Sequence, residues 1–407
     1  MRTVDLISGT RYRVGWTHGR RLRPAVRANV GAFLGAAVRS GWDPAQLFRE
    51  ARAIGGAAAP PGLRDELRGV ADGAGLPEEQ ILAFNLLHTR VISDDCTVMF
   101  AMSDATASGR VIFMKNSDKI GSEAMVGEHF YMNKEINVIL HLQPDDGPAI
   151  LGVAAAGSTG LKMGVNGHGV AAGANISRTR GLAARQVSVT EMRALDRTQL
   201  VREGLQQTTA RAAAHAVVAR LMERPMATSG NLEFVDNREG WVIEGSYDRH
   251  AVEVVTGGGA SRTNCFVVLH EENDPEDLSS HCRLTRTRQL LREHAGRITV
   301  ETMIAFSQDH ANGPGPNSIC RHGAHFSEET SQSALVAELD PREPGQSRVA
   351  IALGKPCHAW RHADGHVEAT LRSGSGRIPA RFRTGETWKT YWTEVPFEAP
   401  SPQTAGR

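Results

Sequence analysis

The chain changes character at residue 95, and that seam constrains its fold more than any other feature. Upstream, residues 16–92 are dominated by Ala, Leu and Arg, with Val26, Val30, Phe33, Leu34 and Val38 at helical spacing. Ala59-Pro60-Pro61-Gly62 breaks that texture, a second helix is predicted over 63–73, and Leu76-Pro77-Glu78-Glu79 opens a third. Downstream, short β-prone runs take over: 97–102 and 111–115, joined by a turn at Ser108-Gly109, then 137–142, 149–155 and 170–175. A helix is predicted over 205–224, a hairpin from 232–235 to 241–244, helices over 283–294 and 300–308, and last strands over 333–338 and 348–353. Strands, then helices, then strands again imply an α+β protein with predominantly antiparallel sheets and helices packed outside them. The expected division is a helical segment 1–95, a core 96–372, and a tail or outer wrap 373–407 rich in Arg, Gly, Ser, Thr and Pro.

Charge and composition exclude several classes. The 46 basic and 45 acidic residues are spread along the chain, leaving a formal charge of +1, and aromatics are only 5%. No basic stripe or stacking platform for nucleic acid emerges. No run of 18 apolar residues is present for a membrane span, and residues 1–30 hold no apolar run of signal-peptide length. Cys96, Cys265, Cys282, Cys320 and Cys357 are too scattered for a disulfide framework, and none forms a CxxC pair. The expectation is a cytoplasmic protein without metal or cofactor, without nucleic-acid or membrane partners, and compatible with a homo-oligomer.

Cys96 stands at the seam in Ser93-Asp94-Asp95-Cys96-Thr97-Val98. A cysteine opening a strand is commonly a small buried hydrophobe. Asp94, Asp95 and Thr97 are unusual company for one, however, and a hairpin would return Lys115, Asn116 and Asp118 beside it.

The stretch Leu63 to Leu76 resembles the segment preceding the nucleophile in the isopenicillin N acyltransferase family of self-processing N-terminal-nucleophile hydrolases. In order along the chain, Asn85, Asp95-Cys96-Thr97 and Asn116-Ser117-Asp118 resemble further motifs of that family. So do Asn231-Leu232-Glu233 with Gly240 and Glu244, the segment Asp309 to His322, and Leu353-Gly354-Lys355-Pro356-Cys357. The resemblance implies a four-layer αββα fold and autocatalytic cleavage of Asp95–Cys96 into a small and a large subunit. Cys96 would then attack a linear amide or thioester of a small metabolite, with its own freed α-amine as base. The acyl group would pass to water or to an amine. By the same resemblance Asp118 orients the α-ammonium and Asn231 is an oxyanion donor. Lys115, where bile-salt-hydrolase relatives carry a basic residue, sits near the thiolate, meets an acidic substrate group, or is simply a solvated strand end. Arg283 is an active-site arginine with Arg286 and Arg288 as rivals, and Asn116 and Asn175 contact substrate.

Two departures stand out. Asp95 replaces the glycine usual before the nucleophile, where freedom of φ and ψ eases a strained peptide. Ser117 replaces an aromatic residue. An uncleaved cysteine hydrolase and an inactive binding protein of the same fold remain as alternatives. His310, His322 and His325 show no metal-ligand spacing, and Gly164 to Gly169 reads as a tight turn rather than a nucleotide-binding loop.

Overall fold

The computed structural model describes residues 2–91, 94–120, 135–179, 195–224, 226, 228–246, 249–323, 329–361, 366–370 and 377–380. The strands are β1 (Arg2–Gly9), β2 (Asp94–Ala101), β3 (Ile112–Ile120), β4 (Asn137–Pro144), β5 (Ile150–Ala155), β6 (Met163–Asn166), β7 (Ala171–Ile176) and β8 (Gly230–Val235). They continue as β9 (Gly240–Gly245), β10 (His250–Val255), β11 (Gly259–Arg262), β12 (Glu329–Glu338), β13 (Arg348–Leu353), β14 (His366–Thr370) and β15 (Arg377–Ala380). The helices are α1 (Arg11–Arg21), α2 (Arg23–Arg39), α3 (Pro44–Ala58), α4 (Pro61–Ala74), α5 (Glu78–Leu86) and α6 (His88–Val91). After the seam come α7 (Arg197–Gly204), α8 (Ala210–Glu223), α9 (Leu278–Glu293), α10 (Val300–Ser307) and α11 (Pro356–Ala359). Among the described residues, no helix is long and apolar enough to cross a membrane.

Two sheets form the centre. One has nine strands in the order β10-β9-β8-β7-β6-β5-β4-β1-β15, the other six in the order β11-β2-β3-β12-β13-β14. Neighbouring strands are antiparallel except β1 and β4. The sheets pack face to face through Val98, Phe100 and Phe113 on one side and Val153, Val165 and Val242 on the other. The outer face of the nine-stranded sheet buries Leu140, Ile150, Leu232 and Phe234 against α1–α5, α7 and α8. The outer face of the six-stranded sheet buries Met99, Ile112 and Met114 against α9 and α10. The result is a four-layer αββα protein of the α+β class, because each sheet has two apolar faces to cover.

Upstream of the seam the chain is not helical throughout, since β1 lies inside the nine-stranded sheet beside β4. β15, from the stretch expected to be a tail, pairs with β1; residues 381–407 lie outside the described residues. The helix expected over 205–224 starts only at Ala210, where the Thr209 side chain accepts from Ala212 N; α7 before it, ending at Gly204, was not expected. β10 and β11 went unrecognised in the sequence; β10 alternates half-buried and exposed positions at the sheet edge.

α1 and α4 cross at backbone contact. A Cβ built on Gly15 would lie 2.0 Å from the Glu66 carbonyl oxygen, and one on Gly69 2.2 Å from that of Tyr12. Gly19 and Gly73, one turn further along, face Val70 and Trp16 carbonyls at 2.3 and 2.2 Å in the same way. Glycine pairs four apart on both helices let the backbones touch where any side chain would force them apart. Gly15→Ala or Gly69→Ala should therefore destabilise the protein by about 1–3 kcal/mol in urea unfolding; unchanged stability would contradict this packing.

Candidate active site

β2 and β3 are buried on both faces, and their chemistry changes along their length. One half is apolar. In the other half alternation sets Asp94, Cys96, Lys115, Ser117 and Lys119 toward the nine-stranded sheet, and Asp95, Thr97, Asn116 and Asp118 toward α9 and α10. Cys96 is paired with Ser117 and Asp95 with Asp118, so the hairpin does return Lys115, Asn116 and Asp118 to the cysteine. The Cys96 thiol and the Asp118 carboxylate point to opposite faces of the sheet.

The three buried aspartates of this hairpin are each held by cations. Arg197 Nη2 donates to Asp94 Oδ1 at 2.7 Å, with Lys119 Nζ 3.6 Å from its other oxygen. Burial opposes ionisation of Asp94, yet Lys119 and Arg197 hold its carboxyl well below the usual range. On the other face Arg321 Nη1 donates to Asp95 Oδ2 at 2.5 Å and Arg178 Nη2 to Oδ1 at 2.9 Å. Ser331 Oγ donates to Asp118 Oδ1 at 2.6 Å, while burial pushes that carboxyl up to about 6 against the pull of Arg321 and Arg283.

Around Cys96 the main chain is gripped as firmly as the side chains. β11 pairs with β2 only as far as Arg262 opposite Val98, so among the described residues the β2 edge at Cys96 has no strand beside it. The Asn264 side chain fills that place, and Cys96 N donates to its Oδ1 at 3.1 Å. Arg283, fully buried on α9, donates to Cys96 O at 2.8 Å, Thr97 Oγ1 at 3.0 Å and Asn264 Oδ1 at 2.8 Å. Geometry thus separates Arg283 from its rivals: Arg286 pairs with Asp309, and Arg288 is exposed. Burial pushes the Cys96 thiol up, and Lys115 is the strongest influence in the opposite direction. Lys115 Nζ itself donates to Ala174 O at 2.6 Å and Lys162 O at 2.8 Å.

The asparagines divide by what their amides hold. Asn231 spends both N–H groups on the carbonyls of Thr263 and Cys265, at 3.1 and 3.3 Å. An amide so committed is not an oxyanion donor in this state; it fixes the loop that presents Asn264. Glu244 anchors the same loop, accepting from Arg262 Nε at 2.7 Å and from the backbone N–H groups of Val267, Val268 and Leu269. Asn175, opposite Asn231 across β7 and β8, donates to Thr263 O at 3.0 Å, and Asn264 donates to Ile176 O at 2.9 Å. Asn116 lies away from the thiol, its amide on Ser307 O and Ile319 O.

Sequence reasoning missed Asn264, Arg321, Arg178 and Arg197. Two adjacent buried aspartates demand buried cations, but nothing in the sequence says which arginines. The expectation that the histidines form no metal-type cluster is corrected, because the fold brings His310, Cys320, His322 and Cys357 together. The pairing of β12 with β13 returns Cys357 to the 309–322 loop, a meeting that sequence spacing does not encode. His325 lies outside the described residues.

No family model matches the chain. Among solved structures, a mutant of conjugated bile acid hydrolase from Clostridium perfringens is similar at 8% identity and a TM-score of 0.41, covering 70% of this chain and 96% of that one. An ortholog of N-acylethanolamine-hydrolyzing acid amidase from Caenorhabditis elegans gives 14% identity and a TM-score of 0.38, over 61% and 95% of the two chains. Penicillin V acylase from Agrobacterium tumefaciens gives 10% and 0.31, over 63% and 82%.

Glu233 faces the same interior, where burial pushes its carboxyl up to about 8 against the pull of Lys115 and Arg262. A carboxyl raised on folding gives its full stability below the unfolded value near about 4.3 and loses it as pH rises through the folded value. Glu233→Gln should therefore unfold at a temperature that gains on the wild type steadily from pH 5 to pH 8. A difference independent of pH would show that Glu233 is ionised throughout.

Proposed function

We propose that the protein is an amide-bond hydrolase or acyltransferase whose nucleophile is Cys96, made competent by a cut between Asp95 and Cys96. The observation that carries this reading is the cradle around the Cys96 backbone. Its nitrogen already has a fixed side-chain acceptor in Asn264, and its carbonyl is fixed by Arg283. Buried backbone groups on an unpaired edge need partners in any case, but here the partners are side chains that converge on the residue whose nitrogen the cut would free.

In the uncut chain the sulfur attacks the Asp95 carbonyl carbon. The S–C bond forms, the C–N bond breaks, and the Cys96 nitrogen takes up the thiol proton to become an amine. Water then hydrolyses the thioester, leaving an Asp95 carboxyl group and a free thiol. The new α-amine, titrating near about 7.7–8.0, serves as general base for its own thiol. Substrate acyl then passes to sulfur with loss of the amine or thiol leaving group, and water or an amine removes it. Lys115 favours the thiolate. Asn264 and Asn175, which each spend one amide N–H on the backbone, offer the second to the developing oxyanion.

A second reading has one observation in its favour. Cys96 is only 1% exposed, with Asp94 and Asp95 continuing β2 beyond it, as in a chain that stays uncut and inactive. The two readings separate by intact mass. The first expects fragments 1–95 and 96–407 from the wild type and a single uncut chain from Cys96→Ala. Cleavage persisting in Cys96→Ala, or a wild type that never cuts, overturns self-processing. The fragments should co-elute, because β1 and helices α1–α5 are packed into the nine-stranded sheet. Once an amide or thioester substrate is found by screening, Asn264→Ala should lower turnover by about 10²–10³-fold.

A further inference from the structure

At the end of the six-stranded sheet, where α11 packs on β12 and β13, His310, Cys320, His322 and Cys357 each bring one donor atom within 4.8 Å of the others. His322 Nε2 lies 3.2 Å from His310 Nε2, 3.2 Å from Cys357 Sγ and 3.7 Å from Cys320 Sγ. One imidazole nitrogen carries either one proton or one lone pair, so it serves a single hydrogen bond and cannot satisfy three neighbours at once. Ligands sharing a cation look different. A tetrahedron with Zn–N of about 2.0–2.1 Å and Zn–S of about 2.3 Å has edges of about 3.3 Å between nitrogens and about 3.6 Å between nitrogen and sulfur. The nitrogen pair and the Cys320 contact match those edges, and the Cys357 contact is about 0.4 Å shorter, so a small outward shift of Cys357 Sγ completes the tetrahedron.

We propose that these four side chains form a closed, tetrahedral site for a zinc ion. Two thiolates and two imidazoles select zinc over the hard cations, which take oxygen ligands. Four protein ligands leave no open position, which marks a structural site rather than a catalytic one. The cysteines are buried and the histidines half-buried, so the ion enters from the histidine side. On binding, the two thiols release their protons to solvent and two Zn–S bonds form. All five cysteines are free thiols in this structure, so Cys320 and Cys357 are available as ligands.

The site also has a structural consequence. Arg321 sits between the ligands Cys320 and His322, and its guanidinium holds Asp95 and Glu329. The Cys357 ligand belongs to α11, immediately after β13. Zinc would thereby clamp the Arg321 loop to the end of the six-stranded sheet and fix the outer wall around Asp95. This holds whether or not Cys96 is catalytic.

The test is elemental analysis of the full-length protein, expressed with zinc and purified without a histidine tag. About one zinc per chain is expected. X-ray absorption at the zinc edge should show two sulfur and two nitrogen neighbours at about 2.3 and 2.0–2.1 Å. Cys357→Ser should lose the stoichiometric metal, whereas Cys96→Ala should keep it. Should Cys357→Ser fail to fold, His310→Ala at its half-buried position should fold and give up zinc to a chelator that the wild type resists. Metal-free protein that takes up no zinc in dialysis, a disulfide between Cys320 and Cys357, or zinc bound through oxygen ligands would each overturn the proposal.

Discussion

The structure depends on burying two neighbouring carboxylates on opposite faces of one strand. Asp94 and Asp95 cannot sit inside a protein unless each meets cations, since an uncompensated buried charge costs several kcal/mol. Asp94 is met from the nine-stranded sheet's side by Arg197 and Lys119, and Asp95 from the helical side by Arg321 and Arg178. These partners come from α7, from β3, from the loop before β12 and from the end of β7. Two residues thereby tie four distant parts of the chain to the entrance of β2 and set the position of Cys96.

That arrangement gives Asp95 a role where a glycine is usual in the resembling family. Glycine would permit a strained peptide through conformational freedom. Aspartate instead offers a handle: its side chain is clamped by guanidinium groups while Arg283 holds the next carbonyl and Asn264 the next nitrogen. The peptide bond between them is fixed from both ends, and positioning of this kind is what an intramolecular attack requires.

Much of the architecture was legible in the sequence. The change of texture at residue 95, the turn at Ser108-Gly109 and the hairpin around Asp236 each followed from local signals, periodicity and turn chemistry. β1 escaped notice because eight residues at the N-terminus gain their strand identity from pairing with β4 and β15. The hairpin that brings Lys115 beside Cys96 was legible because it is local, whereas alternation sets Asp118 on the opposite face. Asn264 was invisible because its importance comes from where β11 stops. That the Asn231 amide is spent on the carbonyls of Thr263 and Cys265 was equally invisible, because it depends on the same loop. The Cys and His cluster likewise depends on strand order rather than on spacing along the chain.

The clamp on Asp95 is tested most directly by the rate at which freshly made chain is cut. Following intact mass over time after synthesis, wild type should convert to 1–95 and 96–407, while Asp95→Ala, whose arginines keep Glu329 and Asp277 as partners, should accumulate uncut chain at least about tenfold longer. Equal rates of cutting in the two proteins would contradict the account.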